Sequence, residues 1–160
     1  MHFVEVGCKP GVRDVLGQAV KARLEEDLSA GVKGLRRVAF IDVYRLECLL
    51  SPQEAERIGA ELLRDPITQV FAVDQPVEGG FDWSVTVSLH QNVTDNVGIA
   101  AREGIEDLLG RKLGENERIY YDRKYLFWGD LTEAQVRDLA GKALANDFLE
   151  HCRVERGSHA

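Results

Sequence analysis

Between Trp83 and His90 apolar and polar residues alternate one by one, with Trp83, Val85, Val87 and Leu89 set against Ser84, Thr86, Ser88 and His90. A period of two marks a strand with one buried and one polar face. Residues 12–28 instead space Val12, Val15, Leu16, Ala19, Val20 and Leu24 as a helical stripe. Phe3 to Cys8 reads as an opening strand. Leu35 to Leu50 is rich in branched and aromatic residues but too long for one flat strand, which predicts a bend or break near Asp42. Ser51-Pro52-Gln53-Glu54 has the chemistry of a helix start. Ser51 can accept from an orphan amide, Pro52 needs no donor at the first helical position, and Glu54 can complete a capping box. Ile67 to Asp74 returns as a strand. Helices are predicted at 95–110 and 131–147, and strands at 117–128 and 149–155.

The pattern is written twice. Asp14-Val15-Leu16-Gly17-Gln18-Ala19-Val20-Lys21 aligns with Asp95-Asn96-Val97-Gly98-Ile99-Ala100-Ala101-Arg102, 81 positions on, and the register continues through Leu24/Ile105 and Leu28/Leu109. Further along, Gly59, Leu62 and Asp65 align with Gly141, Leu144 and Asp147, 82 positions on. Gln75-Pro76-Val77-Glu78-Gly79-Gly80 has the Pro and paired Gly of a connector. The expected organisation is therefore a repeat at 1–74, a linker at 75–80, a second repeat at 81–155 and a tail or remnant at 156–160. Each repeat runs strand, helix, strand, helix, strand. The fold class is α+β, with mostly antiparallel sheets and helices packed on one face. Each half alone is near the size at which one core is marginal, so the two are expected to join.

Net charge of −7 and a pI near 5.1 give a field that repels phosphate backbones and anionic membrane surfaces, so neither nucleic acid nor membrane is an expected partner. No apolar run reaches the roughly 20 residues of a span, and Met1 to Glu5 lacks a signal pattern; a cytoplasmic location is expected. Cys8, Cys48 and Cys152 lie far apart in strand-like stretches and read as buried free thiols.

Candidate chemistry is sparse. His2, His90, His151 and His159 show no ligand spacing, and no strained nucleophile motif occurs. Lys9-Pro10-Gly11 before the first helix is either a strand-to-helix turn or a weak phosphate contact. Asp14 and Asp95 fall in the first turns of their helices, where a carboxylate offsets the dipole and caps amides. Arg123-Lys124-Tyr125 with Phe127-Trp128 combines basic and aromatic side chains as interfaces do, although strand alternation could equally send alternate residues into the core.

These residues resemble two fused copies of PurS, the small subunit of phosphoribosylformylglycinamidine (FGAM) synthase. The family's Lys-Pro-Gly-x-x-Asp-x-x-Gly stands here as Lys9-Pro10-Gly11-Val12-Arg13-Asp14-Val15-Leu16-Gly17. Its Gly-Lys-Tyr/Phe strand looks like Arg123-Lys124-Tyr125-Leu126, with Arg123 for the Gly; Val43-Tyr44-Arg45-Leu46 departs further. Its closing Leu-Leu-Ala-Asn-Pro-Val-Ile resembles Leu62-Leu63-Arg64-Asp65-Pro66-Ile67 and, more loosely, Leu144-Ala145-Asn146-Asp147-Phe148-Leu149. Asn92-Val93-Thr94 stands in place of Lys-Pro-Gly in the second half.

The resemblance implies a covalent pseudo-dimer with no catalytic site of its own. Such a part bridges a PurL-type synthetase and a PurQ-type glutaminase for ammonia transfer. Interface candidates are Lys9, Pro10, Gly11, Asp14, Gly17, Asp95, Gly98, Arg123, Lys124 and Tyr125. No cofactor or metal is expected in this chain, since ATP and Mg belong to the synthetase. One rival reading is a small-molecule regulatory module of tandem α+β type, with a pocket between its halves. Another is a self-contained enzyme on a ferredoxin-like fold, for which fold alone is no support.

Overall fold

A computed structural model of the chain describes residues 1–27 and 34–157; Leu28 and the tail residues 158–160, His159 included, lie outside the described residues. The elements are β1 (His2–Cys8), α1 (Val15–Asp27), β2 (Leu35–Glu47), α2 (Pro52–Ile58) and β3 (Gln69–Val73). They continue with β4 (Trp83–Leu89), α3 (Asn96–Leu109), β5 (Arg118–Gly129), α4 (Glu133–Leu139) and β6 (Glu150–Arg156). Helices α2 and α4 each run on into a π-helical turn, Gly59–Leu63 and Ala140–Leu144. The fold is α+β, and its strands hydrogen-bond in the antiparallel order β3-β1-β2-β5-β4-β6.

Local chemistry explains where the helices start and stop. Ser51 accepts from the Glu54 amide while Glu54 reaches back to the Ser51 amide, the capping box expected at Pro52, and Thr132 with Gln135 does the same for α4. The expected single helix over 131–147 is shorter. It widens into the π turn that closes with the Ala145 amide on the Ala140 carbonyl at 3.2 Å.

The chain forms two compact units, and neither is a contiguous half. The first comprises residues 1–12, 42–77 and 94–122; the second comprises 13–41, 78–93 and 123–160. The first unit thus holds β1, α2, β3 and α3 with parts of β2 and β5. Its core gathers Val4, Val6, Leu46, Cys48 and Ile58 with Ala101, Ile105, Leu113 and Ile119. The second unit holds α1, β4, α4 and β6 with the remaining parts of β2 and β5. Its core joins Leu24, Leu35 and Val38 to Trp83, Val85, Val87, Tyr125, Phe127, Val136 and Leu139. Each core is therefore completed by a helix from the other side of the 75–80 connector. Burying Leu24 and Ile105, both fully inaccessible, contributes about 2 kcal/mol each.

Three expectations are corrected. Of the bend or break expected near Asp42, the break is absent: β2 is one strand through Asp42, although the division between the units falls between Ile41 and Asp42. Only part of the stripe on α1 is buried: Val15 and Leu16 are 61% and 58% exposed and Val12 and Ala19 are exposed as well, while Val20 and Leu24 face inward together with Gly17. Of the three thiols only Cys48 is buried, and Cys8 and Cys152 are half-buried.

Candidate functional site

Asp14 and Asp95 use both carboxylate oxygens. One Asp14 oxygen accepts from the Gly17 amide at 2.8 Å, and the other accepts from the Phe40 amide of β2 at 2.8 Å. In the first unit, Asp95 accepts from Gly98 at 2.7 Å and from Tyr121 of β5 at 2.8 Å. Each carboxylate pins a helix start to a strand. The glycine three residues on allows the close approach: a Cβ on Gly17 would stand 2.4 Å from the Val38 carbonyl oxygen, and one on Gly98 2.5 Å from that of Ile119. The Asp-x-x-Gly spacing is thus a structural clasp, and general-base work by either Asp would require breaking it.

Lys9-Pro10-Gly11-Val12 is a type II turn. Pro10 sits second, Gly11 third with φ +83°, and the Val12 amide closes on the Lys9 carbonyl at 3.0 Å. The Lys9 ammonium donates to the Pro66 carbonyl at 2.6 Å, and the Lys9 amide donates to Thr68 at 2.9 Å, so the turn is stitched to the loop before β3. Pro10 and Gly11 remain exposed at its tip. The carboxylate of Asp14 already takes the Gly17 amide at the start of α1, which disfavours an anion there.

In the second unit His90-Gln91-Asn92-Val93 makes the corresponding turn, with Val93 on the His90 carbonyl at 3.0 Å and the His90 ring against the Asp147 carbonyl at 2.9 Å. His90, not Asn92, therefore stands where Lys9 does, 81 positions on. The same separation holds in the loops that follow the π turns. Asp65 accepts from the Ile67 amide at 2.8 Å and Asn146 from the Phe148 amide at 3.1 Å. The counterparts of Gly59, Leu62 and Asp65 are thus Ala140, Ala143 and Asn146, one position before those aligned from sequence. Both loops hold an apolar side chain out to solvent: Ile67 is 80% exposed and Phe148 93%.

Arg123, Lys124 and Tyr125 do not form one surface. Tyr125 is in the core at 4% exposure, and Arg123 beside it donates to the Tyr125 hydroxyl at 3.0 Å, to the Leu144 carbonyl and to Glu150. Burial pushes the Tyr125 phenol up, with Arg123 opposing. Lys124 stands 5.8 Å from the Phe81 ring centroid.

Sequence reasoning missed a polar group in the first unit. Asp122, 4% exposed, is held by the Arg45 guanidinium at 2.7 Å, and Arg45 lies over the Tyr120 ring. The Tyr121 hydroxyl donates to Asp42 at 2.6 Å, and Tyr44 packs against Tyr121 at 5.4 Å between centroids. Burial first, then the charges of Asp42 and Asp95, push the Tyr44 phenol up to about 12. Opposite charges 77 residues apart carry no local sequence signal.

Among the described residues no group of three or more His, Cys, Asp or Glu could hold a metal ion, and no helix is long and apolar enough to cross a membrane. Burial pushes the Cys48 and Cys152 thiols up, which leaves little thiolate at neutral pH. Comparison with protein-family models and with curated proteins returned no match.

Proposed function

We propose that this chain is a non-catalytic assembly component of FGAM synthase, a cytoplasmic tandem of PurS-like repeats that bridges a PurL-type synthetase and a PurQ-type glutaminase. The observation that carries the reading is the composition of the two cores. Each is completed by a helix from the other side of the connector, an arrangement that suits a dimer fused into one chain whose halves share their cores. The resemblance through Lys9 to Gly17 adds to it, and that motif is now intelligible as a type II turn followed by a helix clasp. A part whose polar groups are spent on holding its own elements suits a scaffold. Ammonia transfer between two active sites needs them held in fixed register and closed to water. ATP, Mg and the glutaminase nucleophile belong to the partners in this reading.

The test is a pull-down with cognate synthetase and glutaminase, with and without glutamine and ADP, followed by a glutamine-dependent FGAM synthase assay. Co-elution with restored glutamine-dependent activity is expected. Absence of binding, with a small ligand retained by the purified chain, would replace this reading with the regulatory module.

A further inference from the structure

Strand β6 ends the sheet order, and its outer edge is charged in a pattern that matches itself. The His90 amide donates to the Leu149 carbonyl and the Gly157 amide to the Asp82 carbonyl, both at 2.8 Å, at either end of the β4–β6 register. Bonded pairs alternate along an antiparallel ladder. His151, Arg153 and Glu155 therefore direct their backbone groups toward β4. Glu150, Cys152, Val154 and Arg156 direct theirs to the outer edge, where among the described residues no further strand pairs. Cys152, Val154 and Arg156 present both backbone groups there and Glu150 its carbonyl, since the Glu150 amide is held by the Asn146 carbonyl at 2.7 Å.

We infer that β6 is a self-pairing edge, through which two copies of this chain join antiparallel about Arg153. In that register Glu150 lies opposite the partner's Arg156, His151 opposite the partner's Glu155, and Cys152 opposite the partner's Val154. The outward backbone groups of Cys152 and Val154 then form the complete bonded pairs, with the Glu150 carbonyl accepting from the partner's Arg156 amide, so ladder parity and side-chain complementarity select the same arrangement. Arg153 faces the partner's Arg153, but each is bridged to its own Glu155 at 3.0 Å and lies diagonal to the partner's Glu155. Charges that merely blunt an edge repel a second copy. Here the Glu150 carboxylate is held within its own chain by Arg123 and the Asn146 amide, and the complementarity rests on Glu155, exposed at each end of the pairing, which meets the partner's His151 directly and its Arg153 on the diagonal. The inference stands independently of the proposed function.

Sedimentation equilibrium of the full chain from about 1 to 200 μM tests it, a range in which an association of moderate affinity is resolved. The expected mass rises with concentration from 17.9 kDa toward twice that value, and less so at high salt. Glu155→Lys, at an exposed position, leaves the circular dichroism spectrum unchanged and weakens the dimer at least about tenfold. The double variant His151→Glu with Glu155→Lys restores it. Arg153→Cys, at a non-bonded pair where opposed Cα atoms are close enough for a disulfide, gives a covalent dimer on mild oxidation. A constant mass of 17.9 kDa overturns the inference. So does a dimer that ignores Glu155→Lys and shows no cross-link from the thiol at position 153.

Discussion

Replacing Gly98 by alanine adds one methyl group inside a helix, a change that usually stabilises by about 0.5 to 1 kcal/mol. Here the sign reverses. The new Cβ would lie 2.5 Å from the Ile119 carbonyl oxygen and 2.6 Å from a carboxylate oxygen of Asp95, whereas real Cβ contacts essentially never fall under 3.0 Å. The first obstacle is strand backbone in the core of the unit, so α3 must retreat by about half an ångström. Overpacking of this kind costs about 1 to 3 kcal/mol. Retreat also stretches the Asp95 bonds to Gly98 and Tyr121, each a charge-assisted contact whose full loss costs about 1.5 to 3 kcal/mol. A net destabilisation of about 3 kcal/mol follows, so with a denaturant slope of about 2 kcal/mol per molar the urea midpoint falls by about 1.5 M. Gly141→Ala is the control, because a Cβ there meets nothing within 4 Å, and its midpoint should hold or rise. Far-UV circular dichroism against urea measures both. Equal midpoints for Gly98→Ala and the parent chain would refute the clasp.

Asp95→Ala should cost about 2 to 4 kcal/mol in the same assay, since it orphans two amides at once. Arg45→Ala should cost about 3 kcal/mol by leaving the buried Asp122 carboxylate without its cation, and adding Asp122→Asn should recover part of the loss. Leu24→Ala should destabilise by about 2 to 5 kcal/mol, whereas Leu16→Ala should stay within about 0.5 kcal/mol despite the shared helix. Tyr44 gives a pH signature. Its phenol is raised to about 12 in the folded chain against an ordinary value of 10, so its contribution is fully present below pH 10 and is lost as pH rises through 12. Absorbance at the phenolate band against pH should show a late-titrating component that Tyr44→Phe reduces, the buried Tyr125 phenol, also raised, accounting for the remainder.

What the sequence made legible were features decided within a few residues. The capping box at Ser51, the strand β4 and the Pro-Gly turn at Pro10 and Gly11 depend on neighbours in the chain, although Ser84 and Thr86 on the polar side of β4 are buried along with the apolar side. Partnership across the connector carries no such mark: periodicity shows that Leu24 and Ile105 belong in a core but not which one. The stripe on α1 held in part: Val20 and Leu24 turn inward, but in the first turn the buried position is Gly17, against the Val38 carbonyl, and a count of hydrophobic residues does not find a glycine. Identity misled at Gly59 and Gly141. A Cβ on Gly59 would strike the Phe71 ring at 2.3 Å whereas Gly141 faces open space, so the two glycines answer different needs and their match was accidental.

The composition of the cores sets an order on synthesis. A chain emerging from the ribosome at about 5 to 20 residues per second presents Val4, Val6 and Leu46 long before Ile105, the side chain that must cover them. The first unit becomes closable only once Asp122 is out, and the second waits for Arg156, although its first helix has been exposed since Asp27. The nascent chain thus carries uncovered apolar surface for most of its elongation, and a neighbouring nascent copy offers the same missing helix. Spacing between ribosomes on one message then decides whether the helix that closes a core comes from its own chain or from the next one.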